Sequence, residues 1–284
     1  MTLFDVDELE RTGGTADAGA KVRARMTLAY DGSGFHGFAA NPGVRTVSGT
    51  LQEALEKLLR SPVELTCAGR TDAGVHAWGQ VVSFDAPADR FEPVVLQRSL
   101  NRLCAPRIVV REMGQAPSPD FDARRSAVAR TYRYTIVNRP WPDPFLVNVA
   151  WHVDDPLDVD LLLLACDPLV GEHDFSAFCR RPKRRDGVEA SLVRRVQAAG
   201  WSELGDGLLR FEITANAFCH QMVRSVVGTL VDVGLGRLQA GELLGIIASR
   251  DRAAAGHLAP AHGLCLWEVS YRSGGPGIGV EEVA

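Results

Sequence analysis

Apolar and polar residues alternate along residues 22–30. Val22, Ala24, Met26, Leu28 and Tyr30 fall on one side, and Arg23, Arg25 and Thr27 on the other. That period of two predicts a half-buried strand. Asp31-Gly32-Ser33-Gly34 breaks it. Leu51, Ala54, Leu55, Leu58 and Leu59 then recur at helical spacing and stop at Ser61-Pro62. Strands are predicted over 63–68 and 78–84, with a loop over 69–76 between them. A helix over 92–103 and a strand over 108–113 follow. The order β-α-β-β-α-β is that of a ferredoxin-like unit.

Gly114-Gln-Ala-Pro-Ser-Pro119 reads as a linker. The order of elements then repeats, without repetition of sequence. A strand is predicted over 130–137, a helix over 159–170, and a hairpin from 192–201 and 208–215. Apolar helices over 218–233 and 241–249 and a strand over 264–271 close the chain. The expected fold class is α+β, built from two ferredoxin-like halves, 21–115 and 120–272. Joined edge to edge, the halves leave a central cleft, where sites commonly lie.

Hydrophobic residues make up 46% and charged residues 23% of the 284. This is ordinary globular composition, which excludes a disordered chain, a collagen-like repeat and a coiled coil. No apolar run approaches the ~18 residues of a membrane helix. The acidic N-terminus lacks the features of a signal peptide. The net charge is −4, which argues against a polyanionic partner until its placement is considered. Residues 1–20 carry five acids against one base, and residues 273–284 carry two acids. Both are read as mobile tails, which leaves 21–272 at +2. The six cysteines form no CxxC pair and no zinc spacing. A reducing, cytoplasmic compartment without disulfides or metal is expected.

Four stretches carry candidate chemistry. In Cys67-Ala-Gly-Arg-Thr-Asp-Ala-Gly-Val-His76, Asp72 either bonds its own turn or points into the cleft. In the second reading Arg70 sits beside it and holds it ionised, which makes it a usable nucleophile. In Arg130-Thr-Tyr-Arg-Tyr134, Tyr132 and Tyr134 form either a core pair or a stacking platform. Arg124, Arg125, Arg130 and Arg133 crowd around them, a mixture suited to unstacked nucleotides. In Asn216-Ala-Phe-Cys-His-Gln-Met-Val-Arg224, His220 and Arg224 stand four apart and are expected on one helix face. Arg224 meets either an internal acid or a phosphate. Arg180-Arg-Pro-Lys-Arg-Arg185, followed by Arg194-Arg195, is a solvated loop or a contact for a phosphate backbone.

Gly69-Arg-Thr-Asp-Ala-Gly-Val-His76 with Gly79-Gln80 resembles the active-site segment of the TruA family of tRNA pseudouridine synthases. Tyr30-Asp-Gly32, Phe35-His-Gly37, Arg45-Thr-Val47, Arg130-Thr-Tyr-Arg-Tyr134, the stretch 216–228 and Gly263-Leu-Cys-Leu266 fall in the family's order. The match spans about 22–271. The resemblance implies two ferredoxin-like halves in a continuous, mostly antiparallel sheet, and a homodimer that binds tRNA. It implies isomerisation of uridine to pseudouridine at nucleotides 38 to 40 of the anticodon arm, without metal or organic cofactor. By the same resemblance Asp72 is the essential aspartate and Arg70 the arginine that pairs with it and holds the flipped nucleotide. Tyr132 is the active-site tyrosine, able to stack on uracil and to act as a general base. Arg224 lies near the aspartate, and Leu266 packs near the uracil. His220, Arg184 and Arg185 complete the expected substrate contacts.

Four departures from the family's pattern stand out. Phe38 and Asn41 replace a common Trp and Gln, Ser48 replaces a common Gln, and Thr131 replaces a frequent Arg. They are expected to weaken or redirect substrate contacts and to leave the chemistry intact. Two other functions remain open on the sequence, a tRNA-binding paralogue with little catalysis and a small-molecule enzyme using Asp72.

Overall fold

The computed structural model describes residues 19–180 and 191–272. The first half contains β1 (Lys21–Tyr30), α1 (Val47–Leu59), β2 (Thr66–Cys67), β3 (His76–Pro87), α2 (Pro93–Cys104) and β4 (Ile108–Gln115). The second contains β5 (Ala127–Asn138), β6 (Trp151–Val153), α3 (Val159–Leu164), β7 (Gly171–Asp174), β8 (Val193–Gly205) and β9 (Leu208–Ala215). It ends with α4 (Met222–Gly234), α5 (Glu242–Ser249) and β10 (Leu264–Tyr271). The result is a mixed α+β fold around one ten-stranded sheet, ordered β4-β1-β3-β10-β5-β9-β8-β7. β2 adds to β3, and β6 to β5.

Every pairing is antiparallel except β10 with β3 and β6 with β5. The β10–β3 pairing is the seam between the halves. It rests on two register pairs, Cys265↔His76 and Leu266↔Ala77. Gly79 permits the approach there, because an added Cβ would lie 2.3 Å from the Trp267 carbonyl oxygen. The buried apolar residues of both halves form one continuous cluster, from Met26 and Leu51 to Phe211 and Leu230.

Several boundaries differ from expectation, each for a local reason. The strand expected over 63–68 shrinks to Thr66–Cys67. β4 runs through Gln115 and takes in the start of the expected linker. The helix expected over 159–170 ends at Leu164 and gives way to a 3₁₀ turn at Asp167–Leu169. Pro168 explains this, since it has no N–H to donate to the Leu164 carbonyl and its ring crowds that carbonyl. α4 starts at Met222 and not at 218, because Gln221 adopts a left-handed φ of 67°. β6 and β7 are too short to leave a periodic signal. Arg184 and Arg185 lie outside the described residues. No helix among the described residues is long and apolar enough to cross a membrane.

Candidate active site

The loop between β2 and β3 carries Asp72, and buried polar side chains hold it. The Gln80 amide donates to the Gly69 carbonyl at 2.6 Å and to the Tyr30 hydroxyl at 3.4 Å. Its carbonyl accepts from Gly69 N at 3.4 Å. The Tyr30 and Thr71 hydroxyls share a buried hydrogen bond of 2.8 Å. Phe38 N donates to the Thr71 carbonyl at 3.0 Å, and Val75 N to the Asp72 carbonyl at 3.1 Å. Such a loop is positioned by its scaffold before any ligand arrives.

His76 fixes the far end of the loop. Gly32 N donates to its Nδ1 at 3.0 Å, so Nδ1 is the acceptor and Nε2 carries the proton. Nε2–H then points at the carbonyls of Asn148 (2.9 Å) and His262 (3.1 Å), both in the second half. Gly32 itself lies against the loop, and an added Cβ would fall 2.1 Å from the Val75 carbonyl oxygen.

Two side chains face Asp72 across the seam. Its Oδ1 lies 3.2 Å from His220 Nε2, and its Oδ2 lies 3.7 Å from Arg224 Nη1. Arg224 leaves α4 with its side chain only 14% exposed, and its Nε donates to the Ala259 carbonyl at 2.8 Å. Burial pulls the pKa of Arg224 down, and the charge of Asp72 pulls it back up. His220 precedes α4, in the turn ahead of Gln221. It therefore reaches Asp72 from that turn and not from a shared helix face with Arg224.

Arg70 departs from expectation. It is exposed and forms no ion pair with Asp72 or any other described residue, so His220 and Arg224 are the groups that face the carboxylate. Of the other arginines, Arg130 is buried and Arg133 lies over Trp267 at 4.0 Å while bonding Glu212. Arg133 alternates with Tyr132 along β5 and so lies on the opposite face of the sheet. Arg195, exposed, pairs with Glu172.

Tyr132 and Leu266 are direct cross-strand partners, so both project from one face. Phe218 meets the Tyr132 ring edge-on at 4.9 Å. The Tyr132 hydroxyl is the nearest atom to the open side of Gly69 and has no hydrogen-bond partner among the described residues. Burial, and then the charge of Asp72, raise its pKa. The phenol therefore stays neutral at working pH.

Three of the four departures fall in the scaffold. Phe38 is buried against Tyr30, and its carbonyl accepts from Ser48 N at 2.9 Å. The Thr131 hydroxyl bonds that of Thr214 at 2.8 Å, on the sheet face away from Tyr132. Only Asn41 is exposed.

The profile of a family described as tRNA pseudouridine synthase matches residues 26–124 and 165–272. The chain belongs to the tRNA pseudouridine synthase family. A protein named tRNA pseudouridine synthase A from Frankia casuarinae is 44% identical over 256 residues, 88% of this chain and 89% of that one. A Methylacidiphilum infernorum protein of the same name is 42% identical over 260 residues, 89% and 96% of the two chains. One from Leifsonia xyli is 39% identical over 270 residues, 88% and 92%. The TruA resemblance thus holds over most of the synthase, and both matched segments contribute to the Asp72 site.

No group of three or more His, Cys, Asp or Glu among the described residues of the synthase could hold a metal ion. All six cysteines are free. A hollow of about 260 Å³ lies between Pro142, Leu146, Trp151 and His262, and Asp72 does not line it. The Asp72 carboxylate is itself 28% exposed, so the site opens to solvent.

All four tyrosines of the synthase, Tyr30, Tyr132, Tyr134 and Tyr271, have phenols raised by burial. In the unfolded chain they ionise near pH ~10. A raised phenol holds its proton more tightly in the folded state. The stability it contributes is complete below the unfolded pKa and is lost as pH rises above it. Tyrosinate absorbance should therefore appear only as circular dichroism is lost, in one transition above pH ~10. A gradual rise in fully folded protein would contradict this burial.

Proposed function

We propose that this synthase converts uridine to pseudouridine in the anticodon arm of tRNA, at nucleotides 38 to 40, with Asp72 as the essential carboxylate. One observation carries the reading: the Asp72 carboxylate stands at the seam, between His220 and Arg224 and close to the wall of Tyr132 and Leu266. The reaction breaks the C1′–N1 bond, turns the base and forms a C1′–C5 bond. The uridine must first leave its stack, at a cost of a few kcal/mol. Asp72 then adds to C1′ or C6, or assists a glycal intermediate. A preset, charge-paired carboxylate suits each route. Tyr132, 7% exposed, is proposed to meet the uracil, with the fully buried Leu266 packed beside it.

Arg70, exposed and unpaired, is proposed to hold the flipped nucleotide. His220, Arg184 and Arg185 are proposed as further contacts to tRNA. The halves 21–115 and 120–272 are proposed to be ferredoxin-like. The strand orders support this, with β4-β1-β3-β2 in the first and β10-β5-β9-β8 in the second. A homodimer and a cofactor-free reaction complete the proposal.

The test is release of tritium from C5 of uridine in bulk tRNA, followed by mapping of the modified nucleotides. Release from tRNA, and none from free uridine or UMP, is expected. No release by folded, tRNA-binding protein would leave binding alone as its function. Turnover of free uridine would point to a small-molecule enzyme.

A further inference from the structure

Arg130 lies in the motif that supplies Tyr132, yet its side chain does not face solvent. The residue is 8% exposed and sits within four backbone carbonyls. Nε donates to Ala68 O at 3.3 Å, and Nη2 donates to the same oxygen at 3.0 Å. Nη2 also reaches Arg124 O at 2.7 Å. Nη1 reaches Asn216 O at 2.7 Å and Ala127 O at 3.3 Å. A guanidinium has five N–H donors, and here all five are used. No carboxylate pairs with it among the described residues, so carbonyl dipoles alone offset the burial of its charge.

The choice of carbonyls is informative. Ala68 belongs to the first half and immediately precedes the loop that carries Asp72. Asn216 immediately follows β9 and opens the stretch that carries Phe218, His220 and Arg224. Asn216 is itself fixed, since its Oδ1 accepts from Arg195 N at 3.0 Å and Ala217 N at 2.9 Å. One rigid planar group thus touches the backbone root of the carboxylate and the backbone root of the segment that carries both its partners. The seam beside it offers only two register pairs to hold the same distance.

We infer that Arg130 is a positioning residue, whose guanidinium sets the spacing between the Asp72 loop and the segment bearing His220 and Arg224. The inference rests on the reading of Asp72 as the essential carboxylate. Arg130 touches no substrate in this role. Lysine cannot replace it, because a single ammonium has three donors at one point and cannot span Ala68 and Asn216 as a planar fork does.

The experiment compares wild type, Arg130→Lys and Asp72→Asn in single-turnover tritium release from saturating tRNA. Each rate is taken per folded molecule, at a temperature where melting curves show the variant folded. Binding of tRNA is measured on the same samples. For Arg130→Lys the release rate is expected to fall by ~10-fold or more, as small misplacements of catalytic groups do. Its Kd for tRNA should stay within about twofold, since the side chain is not offered to RNA. A wild-type rate overturns the inference. So does a loss of rate that merely tracks weaker tRNA binding. If Asp72→Asn keeps the wild-type rate, the Asp72 reading falls and takes this inference with it. If Asp72→Asn is dead and Arg130→Lys is normal, only the role of Arg130 is refuted.

Discussion

Asp72→Asn is expected to reduce C5 tritium release on the order of 10⁴-fold, the scale seen when a reacting group is removed from a preset site. The substitution keeps the shape of the side chain and removes its charge. The turn around it should persist, because it is held by Gln80, Thr71, Tyr30 and backbone bonds and not by the carboxylate. Binding of tRNA should therefore change little and the melting temperature hardly at all. Parallel measurements of release, binding and melting on one preparation would check this. Substantial release by the variant would move the chemistry to another group. A large drop in melting temperature would mean that the carboxylate anchors the loop instead of being presented by it.

Gly32→Ala should give the second largest effect, although Gly32 bears no functional group. Its added Cβ would sit 2.1 Å from the Val75 oxygen and 2.5 Å from the Val75 carbon, where real Cβ atoms stay beyond 3.0 Å. Both obstacles are backbone atoms of the Asp72 loop, so a flexible side chain cannot absorb the clash. Relief requires the loop to shift by close to an ångström. Overpacking of this kind costs about 1–3 kcal/mol of stability, and on the proposed role of Asp72 a displaced carboxylate costs ~10²-fold in rate. Gly114→Ala is the control, with nothing within 4 Å of its added Cβ. Equal activity of the two variants would show that the loop tolerates displacement.

The parts of the fold legible in the sequence were those with long periodic signals. Alternation in β1 and the helical spacing of Leu51, Ala54, Leu55 and Leu59 match the observed burial. The structure extends β5 beyond the alternating stretch 130–137 by a few residues at its start. Short pieces were not legible. Trp151–Val153 and Gly171–Asp174 are strands only because neighbours complete their ladders. The left-handed Gln221 that delays α4 carries no sequence signal, because glycine or asparagine is the residue that marks such a turn.

The site was legible to a different degree. Asp72, Tyr132, Arg224 and Leu266 were named through a family resemblance, and the fold brings them together. The identity of the partners of Asp72 was not readable locally. Arg70, two residues away, was the natural choice, whereas His220 lies 148 positions further along. Only the pairing of β10 with both β3 and β5 makes that neighbour a near one. The roles of the supporting residues were not readable for a related reason. Gln80, Thr71 and Arg130 stand in the motifs, but their partners are backbone carbonyls and hydroxyls, which no local pattern marks.

β10 is the last of the ten strands in chain order, yet it occupies the middle of the sheet. While the chain is being synthesised, the preceding strands can form only two separate sheets. The facing edges of β3 and β5 then have unpaired backbone groups, which invite association with other chains. Arrival of residues 264–271 caps both edges at once. The same event puts Leu266 beside Tyr132 and Ala77. Protection from aggregation and completion of the site therefore coincide in time, and a nascent chain on the ribosome has neither until that strand is free to insert.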